Sequence, residues 1–209
     1  TMTSHEIEQA LPYLTAEERA EVDNLLMTDQ IWKPYPSSQR FLERREWETL
    51  FHGPRGCSKT DSLLMDYAAG VGQGYGHAWR GILFRRTYKQ LADIVARCKK
   101  WFYAMFPGSR FNEADFRWTF PGGEVLLLRY MQREADYEQY HGHEYPWIGW
   151  EELTNWPDER CYEKMKSCSR SSHPGMPRKI RSTTNSFGAG HQWVRSQFID
   201  LAPPMRAFG

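Results

Sequence analysis

Predicted strands and predicted helices alternate along most of this chain. The predicted strands are short, and most of them are apolar: residues 47–51, 81–85, 146–150 and 177–184. The predicted helices carry apolar residues at helical spacing: residues 61–69, 87–106 and 157–166. This alternation favours parallel strands joined by right-handed crossovers. We therefore predict an α/β fold with a mainly parallel central sheet flanked by helices, which binds ligands at the carboxyl ends of its strands.

One segment interrupts the alternation. Residues 116–120 and 124–128 flank Pro121-Gly122-Gly123, a pattern typical of two antiparallel strands joined by a turn. A short helix is predicted around residues 133–140, before the next apolar strand. The sequence therefore predicts a β-hairpin insertion within the α/β fold.

The amino-terminal residues differ from the rest of the chain. Residues 5–29 have apolar side chains among many acidic ones, and Thr15-Ala16-Glu17-Glu18 resembles a capping box that opens a helix. A Pro-rich connector follows. We therefore predict a small helical extension with its connector over residues 1–34, and one larger domain over residues 35–209.

Composition changes this picture only slightly. The 209 residues have a net charge of +1, so a nucleic-acid contact would need a local basic patch rather than an overall positive field. The four cysteines form no Cys-x-x-Cys pair and have no histidine at finger spacing, which argues against structural zinc. No run of about 18 apolar residues and no signal peptide is visible. We expect a soluble, cytosolic protein that does not contact membranes.

The most specific motif lies between the first predicted strand and the next helix. It matches the phosphate-binding pattern G-x-x-x-x-G-K-[ST] except that Ser58 replaces the last glycine. Backbone N–H groups of such a loop surround phosphate oxygens, Lys59 can reach the terminal phosphates and the Thr60 hydroxyl can bind Mg²⁺. The alternative is a Gly/Ser turn before an ordinary helix. We call this segment the 53–60 loop; its residues are Gly53, Pro54, Arg55, Gly56, Cys57, Ser58, Lys59 and Thr60.

Polar residues follow two later strands. Glu151 and Glu152, here called the acid pair, come directly after the strand over residues 146–150. One carboxylate could join the metal shell and the other could orient or deprotonate water; the alternative is two surface glutamates. Thr183, Thr184 and Asn185, here called the 183–185 segment, follow the last strand. They could bond a γ-phosphate or water, or form a turn that caps the next helix.

Taken in order, these motifs resemble the ATPase domain of the large terminase subunit of tailed double-stranded DNA bacteriophages. The resemblance covers roughly residues 35–200 and rests on five segments: Gln39, the 53–60 loop, residues 83–91, residues 140–153 and the 183–185 segment. It implies a P-loop fold of the additional-strand catalytic-glutamate type, with the strand of the third motif between the strands of the other two. It also implies hydrolysis of ATP with Mg²⁺ and translocation of DNA.

The resemblance assigns roles residue by residue. Lys59 and Thr60 would bind phosphate and metal, Glu152 matches the catalytic glutamate, the 183–185 segment matches the coupling motif, and Gln39 resembles the adenine-side glutamine. Each residue of the 53–60 loop would contact ATP.

Two positions depart from the family pattern. Glu151 stands where an aspartate is usual, so its longer side chain would shift the Mg²⁺ contact or bridge it through water. Ser58 stands where a glycine is usual. Family members also carry a carboxyl-terminal nuclease domain, for which residues up to 209 leave no room, so we expect no DNA cleavage by these residues.

Three arginines are further candidates for catalysis. Arg55 lies within the 53–60 loop and could act on its own chain's nucleotide. Arg85 and Arg86 follow a strand, and one of them resembles a finger that acts on a neighbouring subunit. The alternative for these two is ion pairing with acidic surface residues.

The partners that the resemblance implies are double-stranded DNA, the portal protein of a procapsid, the small terminase subunit and further copies of the chain in a ring, usually a pentamer. Its implied location is the cytoplasm of the infected bacterium. Two other functions are left open: another P-loop helicase or translocase, and a nucleotide-regulated assembly module that binds ATP without efficient turnover.

Overall fold

The structure is a computed structural model that describes residue 15 and residues 31–200. The chain divides into two compact units, residues 1–33 and 34–209. Apart from Thr15, the helix predicted within residues 5–29 lies outside the described residues, so the helical extension and its boundary at residue 34 stay predictions. The elements below all belong to the second unit.

The described residues of this unit form seven strands and five α-helices. The strands are β1 (Glu48–His52), β2 (Arg80–Arg85), β3 (Arg110–Asn112), β4 (Arg117–Thr119), β5 (Val125–Tyr130), β6 (Trp147–Trp150) and β7 (Lys179–Thr184). The helices are α1 (Pro36–Leu42), α2 (Lys59–Ala68), α3 (Leu91–Met105), α4 (Arg160–Lys166) and α5 (His191–Arg195). Single turns of 3₁₀ helix lie at Gly76–Ala78, Tyr88–Gln90 and Leu153–Asn155, a longer one at Glu134–Gln139, and a π-helical turn at Ser196–Asp200.

All seven strands form one sheet in the order β1-β7-β6-β2-β5-β4-β3. The first five strands of this order, β1, β7, β6, β2 and β5, are parallel to one another. Strand β7 lies between β1 and β6, with Thr183 opposite Phe51 and Ser182 opposite Trp150. The predicted α/β fold with the additional-strand order is therefore confirmed. The carboxyl ends of β1, β6 and β7, where the 53–60 loop, the acid pair and the 183–185 segment lie, meet at one edge.

The predicted hairpin is confirmed as the antiparallel pair β4–β5. Strand β5 also pairs in parallel with β2, so the hairpin extends the main sheet. Strand β3 adds a third antiparallel strand that the sequence analysis did not predict. It spans only three residues, too few for an alternating pattern to show.

The predicted helix over residues 87–106 begins differently from a plain α-helix. Its first turn is 3₁₀, and Thr87 and Gln90 form a reciprocal capping box with each other's backbone. The Thr87 N–H donates to Gln90 Oε1 over 3.1 Å. This satisfies N–H groups that have no partner within the helix and fixes where the chain turns after β2.

Strand β6 is buried along its whole length, as expected for a central parallel strand covered on both faces. The rings of Trp147 and Trp150 are at most 1% exposed. Gly149 makes room for the Trp147 ring, which a Cβ at that position would meet at 2.4 Å. Dense aromatic packing therefore fixes the strand that leads into the acid pair.

A buried ion network, here called the Asp66–Arg181 network, joins α2 to β7. Asp66 accepts hydrogen bonds from Trp147 Nε1 (2.8 Å), Lys179 Nζ (3.2 Å) and Arg181 Nε (3.3 Å). The remaining donors of Arg181 reach four further oxygens: the carbonyls of Arg44, Glu46 and Ile180 and the Thr49 hydroxyl. Every charge in this network therefore has an oppositely charged or polar partner.

In the part of the chain that the structure describes, no helix has the length and apolar character needed to cross a membrane.

Candidate functional site

The 53–60 loop joins β1 to α2 in the arrangement that the motif predicts. Gly56 and Ser58 have positive φ angles of 86° and 53°, and Ser58 is in the left-handed region. A glycine occupies this region without steric cost, whereas a serine is strained there by about 1–2 kcal/mol. The Ser58 carbonyl nevertheless accepts the Ser62 N–H over 2.9 Å, so α2 begins normally behind the loop.

The Lys59 side chain folds back onto its own loop. Its Nζ donates to the Gly53 carbonyl over 2.8 Å and to the Pro54 carbonyl, and it lies 3.4 Å from Cys57 Sγ. Lys59 is only 9% exposed. Since loop carbonyls hold its ammonium group, Lys59 must exchange these partners to reach a phosphate.

Thr60 and Glu151 link the start of α2 to the end of β6. The Thr60 hydroxyl donates to Glu151 Oε1. Burial raises the pKa of Glu151 above its usual value, opposed by the Arg85 charge and by the Thr60 hydrogen bond. The described residues contain no group of three or more His, Cys, Asp or Glu side chains arranged to hold a metal. Mg²⁺ needs fewer, because it takes one or two carboxylates with phosphates and water, so this hydroxyl and carboxylate fit it.

Arg85 bridges the acid pair. Its Nη1 contacts Glu151 Oε2 and lies 3.1 Å from Glu152 Oε2. The Arg85 side chain is 8% exposed, so it lies inside the site of its own chain. Arg86 points elsewhere: its Nη1 donates to the Asn155 carbonyl over 2.6 Å.

Glu152 is the more open member of the acid pair. Its backbone is left-handed, with φ 56° and ψ 56°. Its N–H donates to Thr183 Oγ1 over 3.3 Å, and Asn155 Nδ2 donates to its Oε2 over 3.0 Å. The Glu152 side chain is 36% exposed. A carboxylate that is held through one oxygen, Oε2, and remains partly open to solvent is suited to orienting a water molecule.

The 183–185 segment is buried beside the acid pair. Thr183 accepts the Glu152 N–H, and the Thr184 hydroxyl contacts that of Thr154 at 2.8 Å. Asn185 is 9% exposed. The next helix, α5, is preceded by Gly190 and has no side-chain cap. The alternative interpretation, a turn that caps this helix, is therefore wrong for this segment.

Arg55 and Gln39 lie away from the acid pair's contacts. The Arg55 guanidinium carbon is 5.4 Å from the centroid of the Phe187 ring, a cation–π geometry. Gln39 Nε2 donates to Glu43 Oε1 on the same exposed surface. A cavity of about 430 Å³ separates α1 from the 53–60 loop, and Gln39 is not among its lining residues, which are Tyr35, Pro36, Ser37, Arg40, Gly56 and Cys57.

The sequence analysis missed Thr154 and Asn155. Both belong to the 3₁₀ turn that follows the acid pair, and both contact residues that it singled out. The available signal was a pair of polar residues three and four positions after Glu151 in a predicted loop.

The sequence matches no protein-family model and no curated protein. Among solved structures, the large terminase of the thermophilic bacteriophage D6E superposes with a TM-score of 0.58 at 16% identity, covering 85% of this chain and 41% of that one. The large terminase of bacteriophage HK97 gives a TM-score of 0.59 at 11% identity, covering 88% of this chain and 42% of that one. This chain has the fold of large terminases. The large-terminase fold therefore accounts for most of the chain, which spans about two fifths of those proteins.

Proposed function

We propose that this chain is the ATP-hydrolysing part of a large terminase, the motor that moves double-stranded DNA into a procapsid. One observation carries the proposal: the 53–60 loop, the acid pair and the 183–185 segment meet at the edge where β1, β6 and β7 end. Such an edge is where open α/β sheets bind ligands. The shared fold with large terminases supports the same function.

Within this proposal, each contact has a chemical role. Backbone N–H groups of the 53–60 loop and Lys59 bind the phosphates, while Thr60 and Glu151 would hold Mg²⁺. Bound Mg²⁺ offsets the negative charge of the phosphate oxygens. Glu152 orients the attacking water and accepts its proton. The Thr183 hydroxyl accepts a hydrogen bond from the backbone N–H of Glu152 and so helps to position Glu152.

The two neighbouring arginines take different roles. Arg85 contacts both members of the acid pair and so acts within its own chain. Arg86 is the candidate for a finger that reaches a neighbouring subunit's nucleotide. Arg86→Ala should leave ATP affinity unchanged and abolish the extra hydrolysis that appears on assembly. Equal assembled-state activity of Arg86→Ala and the unsubstituted chain would reject this role.

The partners follow from the motor function: double-stranded DNA, a portal protein, the small terminase subunit and other copies of the chain in a ring, in the cytoplasm of an infected bacterium. Because an isolated subunit lacks a neighbour's arginine, we expect weak basal hydrolysis that rises with assembly. Hydrolysis per molecule that stays constant across protein concentrations, with and without a procapsid, would contradict this expectation.

The decisive experiment separates hydrolysis from binding. Phosphate release and binding of a fluorescent ATP analogue are measured with Mg²⁺ for the unsubstituted chain and three variants, one of which is a control. Glu152→Gln should lower phosphate release by about 10²–10⁴-fold and retain binding, because it removes the proton acceptor alone. Lys59→Ala should lose binding. Glu113→Gln, at an exposed glutamate paired with Lys99, is the control and should match the unsubstituted chain.

The same measurements test the alternatives. A nucleotide-binding assembly module would bind the analogue and release no phosphate even when unsubstituted and assembled. A chain that neither binds nor hydrolyses ATP would overturn the proposal altogether.

A further inference from the structure

Thr154 lies at the junction of three segments of the site. It occupies the 3₁₀ turn Leu153–Asn155, two residues after Glu152, and is 2% exposed. Its hydroxyl is 2.8 Å from Thr184 Oγ1 and donates to the Phe187 carbonyl over 2.8 Å. Its N–H donates to Thr184 Oγ1 over 3.3 Å. A single buried side chain therefore joins the acid-pair turn, the 183–185 segment and the loop that follows.

The donor and acceptor roles of Thr154, Thr184 and Phe187 give this chain of hydrogen bonds a single direction. A hydroxyl donates one hydrogen bond and accepts others. Since the Thr154 hydroxyl donates to Phe187, the Thr184 hydroxyl is the donor between the two threonines, over 2.8 Å, with the Asn185 carbonyl as a second, longer acceptor at 3.1 Å. The Thr184 hydroxyl accepts the Thr154 N–H in return. The resulting chain runs from Thr184 through Thr154 to the Phe187 carbonyl. A hydroxyl at position 154 both accepts and donates in this chain, whereas a methyl group in its place could do neither.

The far end of this chain reaches the 53–60 loop. The Phe187 ring lies under the Arg55 guanidinium, 5.4 Å from ring centroid to guanidinium carbon. Beside it, Ser186 Oγ is 3.1 Å from Nε2 of His52, the last residue of β1. Residues 186–190, here called the 186–190 loop, therefore contact the phosphate side and the acid-pair side together.

The backbone of the 186–190 loop is also fitted to Thr154. The Gly190 N–H donates to the Thr154 carbonyl over 2.8 Å. Gly188 has φ +140°, and a Cβ there would lie 2.5 Å from the same carbonyl. The close approach thus requires glycine at position 188 and holds Thr154 on two sides.

We propose that the Thr154 hydroxyl is a positioning group that transmits the state of the 53–60 loop to Glu152 through the 186–190 loop. The inference rests on the proposed function, because it concerns where Glu152 stands when a nucleotide is bound. Phosphate would bind to the 53–60 loop, which contains Arg55, and Arg55 contacts Phe187. The hydrogen-bonded chain then carries a shift of the 186–190 loop to the turn that begins at Glu152.

The variants separate the hydroxyl from the methyl group. Thr154→Val keeps the size and branching but removes the hydroxyl, leaving Thr184 Oγ1 and the Phe187 carbonyl without this partner. Thr154→Ser keeps the hydroxyl. Phe187→Ala removes the exposed ring that contacts Arg55 and leaves the Thr154 bonds intact; its 59% exposure makes it a variant that should fold. Thr119→Val, on the distant strand β4, is the matched control.

The readout is amide hydrogen exchange over residues 152–156 with and without the non-hydrolysable analogue AMP-PNP and Mg²⁺, together with kcat and KM for phosphate release. In the unsubstituted chain and in Thr154→Ser and Thr119→Val, the analogue should slow exchange over residues 152–156. In Thr154→Val and Phe187→Ala this slowing should be lost. The kcat of Thr154→Val should fall roughly tenfold with little change in KM, because positioning of Glu152 matters in the transition state.

The exchange and binding measurements distinguish failure of this inference from failure of the proposed function. Analogue binding that slows exchange equally in all variants would overturn the inference and leave the proposed function standing. Failure of the unsubstituted chain to bind the analogue would instead reject the proposed function. Should Thr154→Val not fold, Phe187→Ala alone decides, since normal slowing of exchange in that variant contradicts transmission through the 186–190 loop.

Discussion

Two buried clusters of charge lie on the same sheet and are built in opposite ways. In the Asp66–Arg181 network one carboxylate faces two cations, and the remaining donors of Arg181 reach carbonyl and hydroxyl oxygens. In the candidate site one cation, Arg85, faces the two carboxylates Glu151 and Glu152. The first cluster has a surplus of positive charge, and uncharged oxygens accept the remaining Arg181 donors, whereas the second has a surplus of negative charge.

The difference separates stabilising ion pairs from a site prepared for a ligand. Arg181 and Asp66 are at most 1% exposed, and their neighbours hold them from every side. Around the acid pair, by contrast, the pKa of Glu151 is raised, Glu152 opens to solvent, and the backbones of Ser58 and Glu152 are left-handed. Perturbed acids and strained backbones together are typical of functional sites.

The largest expected effect tests the first cluster. Asp66→Asn removes the only acid of its network and leaves Arg181 buried without a counter-charge, which should lower the free energy of unfolding by about 3–5 kcal/mol. Glu152→Gln, at a half-exposed residue, should change it by less than about 0.5 kcal/mol. Urea unfolding of both variants measures this contrast. Equal destabilisation would show that both clusters serve stability.

The pH dependence of stability tests the second cluster. Because the pKa of Glu151 is raised above 4.5, the folded chain binds more protons than the unfolded chain from about pH 4.5 up to the raised value. Stability therefore falls as pH rises through that window, and Glu151→Gln should flatten this fall. Urea unfolding across pH without Mg²⁺ measures it.

Glu113→Gln is the control for this prediction, because Lys99 lowers the pKa of that exposed carboxylate. The stability that Glu113 contributes is lost as pH decreases, not as pH increases. Glu113→Gln should therefore show the same decrease in stability above pH 4.5 as the unsubstituted chain. An unchanged pH profile for Glu151→Gln would mean that Glu151 is not a destabilising charge in the folded chain.

A smaller effect is expected at the strained loop residue. Ser58→Gly relieves the left-handed conformation and should raise the free energy of unfolding by roughly 1 kcal/mol. Ser37→Gly, within α1, should lower it by about 0.5 kcal/mol because glycine weakens helices. Thermal or urea unfolding distinguishes the two signs. Destabilisation by Ser58→Gly would show that the serine side chain contributes more than its strain costs.

The last expected effect is on the reactivity of the cysteines rather than on stability. Cys57 is half-buried in the 53–60 loop, whereas Cys98, Cys161 and Cys168 are buried, and burial raises the pKa of Cys161 to about 11. N-ethylmaleimide should therefore modify Cys57 first, and AMP-PNP with Mg²⁺ should slow that reaction. Mass spectrometry of the modified peptides tests this. Modification of Cys98, Cys161 or Cys168 at the same rate would contradict their burial.

The sequence was most informative where a motif depends on backbone placement. The order of the motifs and the strands before them were enough to predict that the 53–60 loop, the acid pair and the 183–185 segment would meet. Contacts between side chains were harder to predict from the sequence, because they depend on rotamers and on how distant segments meet. Examples are the contacts of Lys59 with its own loop, of Arg85 with the acid pair and of Thr154 with Thr184. Strand β3 was missed because three residues carry no periodicity.

The position of β1 has a consequence for how the chain acquires its site. Among the described strands β1 pairs only with β7, and Thr49 and Arg181, which face each other there, are 132 residues apart in sequence. Contacts between such distant segments form late and slow folding, because a long loop must close first. During synthesis the 53–60 loop therefore emerges before β7, and β1 has no partner among the described strands until β7 leaves the ribosome. The nascent chain should acquire nucleotide binding only after β7 has been synthesised.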